Sequence, residues 1–220
     1  MMYQNQTVIE RLKELFLITC FGNVPVACLG LELRNFIYKS IFKQIDNHVF
    51  IQEGAKFFGT KCIEISQLVH ILEGVCIDAR DVNSHIVIKD GVILKKRVTI
   101  KALLSTNIYI GERTLIDDDV YIIGLGSIKI GKDCFIGDNS VIFAMNHILN
   151  NVSTKFNSVT KKEIIIEDEC WLGHGVTVLN GVTIGKGSVI SPNSVVTENI
   201  PPYSNAEGIP ARVIKSRQKY

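Results

Sequence analysis

This sequence predicts an all-β solenoid of about six to seven triangular coils, with a short helical segment at its N-terminus and one extended loop. Three observations predict it. An aliphatic residue recurs every six positions through the second half of the chain, as in "IGERTL", "IDDDVY", "IGKDCF", "IGDNSV", "IEDECW", "LGHGVT" and "IGKGSV". A small or β-branched residue recurs four places after most anchors. Finally, equivalent anchors are separated by steps of about one coil length, with one step doubled.

Each feature has a physical reading. The anchors Ile110, Ile116, Ile122, Ile130, Ile136, Ile142, Ile166, Leu172, Val178, Ile184 and Ile190 follow a period of six, and the same beat runs earlier through Ile65, Ile71, Ile77, Ile88, Leu94 and Ile100. Six is not a helical period but is a multiple of two, so in extended chain the anchor and the residue four places on point to the same side. Thr114, Val120, Cys134, Ser140, Cys170, Val176, Val182, Ser188 and Ser194 hold that second place. One large and one small inward residue per short strand, with a turn at the intervening Gly or acidic residue, describes a chain bending round a narrow core. Three bends close a coil, and stacked coils bury a ladder that no single repeat could bury alone.

Coils start at Ile65, Ile88, Ile110, Ile130, Ile166 and Ile184, giving steps of 23, 22, 20, 36 and 18 residues. The step of 36 is two coil lengths, so residues 148–165 read as one coil thrown outward as a loop, with His147 at its base. Long loops in compact domains usually carry function. The expected organisation is a helical segment over 1–47, the solenoid over 48–200 with its loop, and a tail over 201–220.

In the N-terminal segment, "TVIERLKELF" sets Thr7 and Glu10 in capping-box spacing and puts Ile9, Leu12 and Phe16 on one helical face. After the break at Gly22–Pro25, "LELRNFIYKSIFKQI" reads as a second amphipathic helix. The pair is expected to cover the open end of the stack, whose strand edges would otherwise be exposed. The alternative is peripheral membrane contact through residues 1–45, with Arg34, Lys39 and Lys43 among aromatics.

Bulk properties exclude several functions. Of 220 residues 46% are hydrophobic, enough for one sizeable domain. With 24 Lys+Arg against 22 Asp+Glu the net charge is +2, which offers no field for nucleic acid. Cys20, Cys28, Cys62, Cys76, Cys134 and Cys170 show no C-x-x-C spacing. Cys134 and Cys170 fall at inward places, where a thiol packs as a compact hydrophobe and makes a poor acyl-carrying nucleophile. No basic n-region precedes an apolar stretch, and the chain is expected to be cytoplasmic with reduced thiols. His147 and His174 stand 27 residues apart, without the close histidine pair of a γ-type carbonic anhydrase zinc site, so no metal is expected.

The tandem array resembles the hexapeptide-repeat family, and "CWLGHGVTVLNGVTIGKGSVISPNSVVTENIPPYSNAEGIPARVIKSR" resembles the C-terminal end of its sugar O-acetyltransferases (galactoside, maltose and colanic-acid type) and of its streptogramin and chloramphenicol acetyltransferases. The resemblance implies a left-handed parallel β-helix, a homotrimer, and acetyl-CoA as acyl donor to a small-molecule or glycan acceptor. It also implies that the ejected loop reaches a neighbouring subunit and carries the catalytic histidine, His147. Neutral imidazole suits that task, because the attacking hydroxyl must lose its proton to a base near cytoplasmic pH. A preorganised donor such as a backbone N–H would stabilise the oxyanion.

Asp117 falls where sugar acetyltransferases place a catalytic asparagine, and could orient His147 or the acceptor or simply hold a turn. For the cofactor, the resemblance points to Trp171, Gly173 and His174, to Pro192, Thr197 and Glu198 along the following corner, and to Arg212 and Lys215 near the CoA phosphates. Glu198 and Glu207 depart from the family pattern by adding carboxylates, and "SPNS" replaces a Gly-Ala-Gly-Ser type run. Glu163, Glu167 and Asp168 read as solvated charges at a coil edge. The activity expected is acetyl transfer to a sugar hydroxyl, with amino-sugar N-acylation, antibiotic acetylation or a non-catalytic scaffold as alternatives.

Overall fold

The computed structural model describes residues 8–81, 83–144, 146–148, 158–160 and 162–216. Three parallel sheets form the faces of a triangular stack of about six turns. The first face runs from Gln44–Ile45 through Ile63–Ile65, His85–Ile88, Asn107–Ile110, Ile128–Ile130 and Ile164–Ile166 to Thr183–Ile184. The second begins at Phe50–Ile51 and includes Leu115–Ile116, Phe135–Ile136, Trp171–Leu172 and Val189–Ile190. The third begins at Lys56–Phe58, includes Tyr121–Gly124 and Val141–Ala144, and ends at Val195–Val196.

Register follows the repeat. Ile65, Ile88, Ile110, Ile130, Ile166 and Ile184 are successive partners down the first face. Every six-residue anchor named above is fully buried. So are the small places, where hydroxyls find backbone partners: Thr114 Oγ1 donates to Gly131 O, and Ser140 Oγ donates to Gly173 O. The inward thiols Cys134 and Cys170 are buried too; contact with the Cys134 thiol, with burial, pushes the Cys170 thiol up. The pairing of Ile130 with Ile166 across 36 residues shows that the doubled step does not enter the stack. Residues 146–148 and 158–160 instead pair antiparallel as a separate two-stranded arm, His147 opposite Val159.

Solenoid pairing begins at Gln44–Ile45, just ahead of the expected boundary at 48 and one coil before the first coil start counted at Ile65. Helix α1 spans Val8–Phe21 and α2 spans Gly30–Tyr38, shorter than the expected 31–45. Ile41 and Phe42 turn into the core, Lys43 N–H joins the ladder at Thr60 O, and Ile45 becomes the first-face partner of Ile65. Ile45, Ile51 and Phe57 keep the six-residue beat, which outweighs the amphipathic pattern of the same segment.

The helices do cover the open end, but not with the expected face. Leu17, Ile18 and Tyr38 pack on the core, while Ile9 (78% exposed), Leu12 and Phe16 (64%) point outward. Two buried charges set this orientation. The Arg34 guanidinium donates to the carbonyl of Ile51 (3.0 Å) on the open edge of the first coil and to those of Val24 (2.5 Å) and Phe21 (3.3 Å) at the end of α1, tying the helices to that edge. The Glu14 carboxylate accepts from Gly59 N–H, Thr60 N–H and Thr60 Oγ1. Buried charges must be satisfied in this way, so these bonds outrank the apolar stripe in choosing which side faces in. Thr7, the expected cap, lies outside the described residues.

At the other end, Ser204–Gly208 and Ala211–Ser216 form an antiparallel hairpin that extends the second face, turning at the cis Ile209–Pro210 peptide.

Candidate functional site

The sequence-predicted residues gather at two corners of the triangle. One joins the second face to the third. There each coil makes a three-residue turn, and successive turns stack as Lys95-Lys96-Arg97, Asp117-Asp118-Asp119, Gly137-Asp138-Asn139, Gly173-His174-Gly175 and Ser191-Pro192-Asn193. Backbone bonds link them: Asp117 N–H to Ile136 O, Gly137 N–H to Leu172 O, Gly173 N–H to Ile190 O and Ser191 N–H to Ala206 O.

Most charges in this column find partners. Lys95 Nζ lies 3.0 Å from Asp117 Oδ1, Lys96 Nζ lies 3.4 Å from Glu73 Oε2, and the Arg97 guanidinium grips Asp119 at 2.7 and 2.6 Å, while Asp118 Oδ1 accepts from the Lys96 backbone N–H. That grip holds the Asp119 carboxyl below its ordinary range. Asp117 also accepts from Asp118 N–H at 2.8 Å, so its carboxylate serves both the turn and the ion pair. Sequence reasoning missed Lys95, although "KKR" and "DDD" stand 22 residues apart, the step between those coils.

Above the acidic turn the column becomes nearly uncharged and slim. A side chain at Gly173 would strike the Pro192 ring, so this close stacking requires glycine. Beside it Trp171, 55% exposed, lies against Phe135 on the outer face with ring centroids 4.6 Å apart. Phe135 was also missed, although it is Trp171's register partner. His174 stands exposed at the turn tip and Pro192 above it. The result is an aromatic ledge bordered by bare backbone and an imidazole.

The second corner joins the third face to the first, and there the arm leaves. Ala144 O accepts from both Leu125 and Gly126 N–H, and Ile164 N–H rejoins the stack at Ser127 O. Lys162 N–H donates to Asn180 Oδ1 at 3.0 Å, and its carbonyl lies so close over Gly126 that no side chain fits there. His147 sits three residues beyond Ala144 on the arm's first strand; its side chain lies outside the described residues. Thr197 and Glu198 occupy the same corner higher in the stack, and Glu198 Oε2 holds Arg212 Nη1 at 2.7 Å. Lys215 is exposed on the terminal hairpin. His147 and the Trp171 ledge are therefore rooted at different corners of one chain, a full face apart.

Two charges expected at the surface are bound instead. Glu167 Oε2 accepts from Lys186 N–H at 2.6 Å, and Asp168 Oδ1 accepts from Lys132 N–H at 3.0 Å. They close turns between coils; Glu163 is exposed as expected. Among the described residues no group of three His, Cys, Asp or Glu could hold a metal ion, and no helix is long and apolar enough to cross a membrane.

Comparison with known proteins agrees with this architecture. Residues 163–198 match the bacterial transferase hexapeptide family (six repeats), and 127–143 match the hexapeptide repeat of succinyl-transferase. A polysialic acid O-acetyltransferase of Escherichia coli O1:K1 / APEC is 36% identical over 118 residues, 53% of this chain and 38% of that protein. The chain thus spans well under two thirds of that curated relative. The crystal structure of the polySia-specific acetyltransferase NeuO superposes with a TM-score of 0.65 at 25% identity, covering 79% of this chain and 75% of the other. AntD, an N-acyltransferase from Bacillus cereus in complex with dTDP-4-amino-4,6-dideoxyglucose and coenzyme A, superposes with a TM-score of 0.53 at 18% identity, covering 84% and 90%. The stack is built of hexapeptide repeats.

Proposed function

We propose that this hexapeptide-repeat protein is an acyltransferase that moves an acetyl group from acetyl-CoA to a hydroxyl of a sugar or glycan precursor, at a site completed between copies of the chain. One observation carries the reading: the stack expels a single coil-length arm bearing His147 at one corner, while the Trp171 ledge stands at the next. In a closed ring of three copies, the arm of one chain meets the ledge of its neighbour, and the same contact repeats around the axis. The similarity to a polysialic acid O-acetyltransferase supports the reaction class.

The residues fit such a donor unevenly. Trp171 and Phe135 present an apolar surface suited to a pantetheine arm, and Gly173 leaves the adjacent turn free of side chain. Arg212 and Lys215 suit phosphates, but Arg212 is already held by Glu198, which weakens its pull on a second anion. Bound acetyl-CoA would supply an activated acyl carbon as a thioester. His147 accepts the acceptor's hydroxyl proton as the acceptor oxygen attacks the acyl carbon, and returns it to the departing thiolate when the C–S bond breaks, a shuttle that neutral imidazole performs well near pH 7. His174 borders the ledge, Pro192, Thr197 and Glu198 line the upper corners, and Asp117 with Lys95 fixes the turn beneath.

Release of free thiol from acetyl-CoA, followed across sugars, sialylated glycans, amino sugars and hydroxylated antibiotics, tests the reading. A hydroxylated sugar should be the acceptor, and His147→Ala should lower the rate by at least about 100-fold. Turnover confined to amino sugars would move the assignment to N-acylation, turnover confined to the antibiotics would move it to xenobiotic acetylation, and equal rates in the variant would remove His147 as base.

A further inference from the structure

Seven of the large hydrophobic side chains exposed among the described residues fall within 9–36: Ile9, Leu12, Leu15, Phe16, Leu29, Leu33 and Phe36. Their placement is systematic. At 100° per residue, Ile9, Leu12 and Phe16 lie within about 40° of the direction opposite the buried Glu14, and Phe36 lies about 20° from the direction opposite the buried Arg34. Each helix is thus pinned by a buried charge: α1 turns an apolar stripe to the outside, and α2 turns out Phe36 beside Glu32. Large apolar surface left exposed on a soluble domain commonly marks an interaction site.

We propose that this surface docks a second copy of the chain, so that two solenoids associate through their N-terminal helices. Two observations select that occupant. The exposed side-chain surface of the seven residues is roughly 800 Å², about the share each partner contributes to a standard interface. The surface also carries both charge signs: Glu32 lies within about 20° of the outward direction of α2, and the exposed Lys13 flanks the stripe of α1. An isologous contact brings each patch against its own copy and can set Glu32 of one chain near Lys13 of the other. An anionic lipid surface would instead repel Glu32 on the outward side of α2.

The contact is independent of the acyl-transfer reading, since none of these residues belongs to either corner of the candidate site. Sedimentation of the full chain and of the Phe16→Glu/Phe36→Glu variant tests it. The wild-type particle should hold an even number of 24.5 kDa chains. The variant should sediment at half that mass, with its dissociation constant raised at least about 100-fold and its thermal midpoint little changed. A milder variant, Glu32→Lys, should weaken association without placing charge at the aromatic positions. An unchanged mass in the double variant would overturn the proposal, as would a fall to one third. Flotation with phosphatidylglycerol/phosphatidylcholine vesicles that depends on Phe16 and Phe36, at unchanged mass, would make the occupant a lipid surface and equally overturn it.

Discussion

The coil stack and the N-terminal helices use apolar residues in opposite ways. In the stack, a residue's place in the six-residue beat decides its burial: all the anchors from Ile65 to Ile190 are buried. In the helices, the best-patterned apolar face, Ile9-Leu12-Phe16, is the one that points away. The difference lies in what fixes orientation. Parallel pairing above and below locks every strand, so an apolar residue that slips by one place leaves the core altogether. A short helix on a sheet end can roll, and here the backbone groups of the first coil select the roll by demanding partners. Arg34 and Glu14 supply them.

Ile136→Ala, in the middle of the stack, should cost about 2–5 kcal/mol, because the fixed coils above and below cannot close the cavity; denaturant unfolding measures it. Arg34→Met should cost about 2–4 kcal/mol by leaving the Ile51 and Val24 carbonyls without their donor. Its effect should be local, with faster amide exchange in α1, α2 and the first coil and unchanged protection near Ile136. Uniform loss of protection would mean that the cap and the stack are one cooperative unit.

Tyr38 gives the contrast a pH dependence. Burial raises its phenol from 10 to about 12. Its folded pKa lies above its unfolded one, so the stability it confers is complete below pH 10. That stability is lost progressively between pH 10 and 12, up to about 2–3 kcal/mol. Tyr38→Phe should flatten this part of the stability profile while leaving stability at pH 8 within about 1 kcal/mol, since the hydroxyl has no protein partner. A profile unchanged by the substitution would assign the alkaline loss to other groups. Smallest of all, Leu12→Ser on the outward stripe should shift chain stability by no more than about 0.5 kcal/mol. A loss of 2 kcal/mol would show that this face supports the core after all.

What could be read in advance follows the same line. The anchors, the small inward places and the expelled coil-length step are all consequences of a strict repeat, and the ladder pairs them as the steps imply. The first coil was hidden because Ile41, Phe42 and Ile45 also satisfy a helical pattern, and the beat of Ile45, Ile51 and Phe57 had to outweigh it. At the candidate site, the Gly173 turn and Trp171 were legible from their motif. The Lys95–Asp117 pair and the Phe135–Trp171 contact were not, because they join residues one or two coil steps apart. Counting those steps would have found both. The roll of α1 was not available from periodicity, because it depends on which edge groups of the first coil lack partners.

His147 and the Trp171 ledge are proposed to act together across two copies of the chain. Mixing His147→Ala with Trp171→Ala, each alone nearly inactive, tests this most directly when the two are unfolded and refolded together. Shared sites should restore a substantial fraction of the wild-type rate of thiol release, because some sites then receive an intact arm from one chain and an intact ledge from the other. Co-refolded mixtures no more active than the sum of the separate variants would contradict the account.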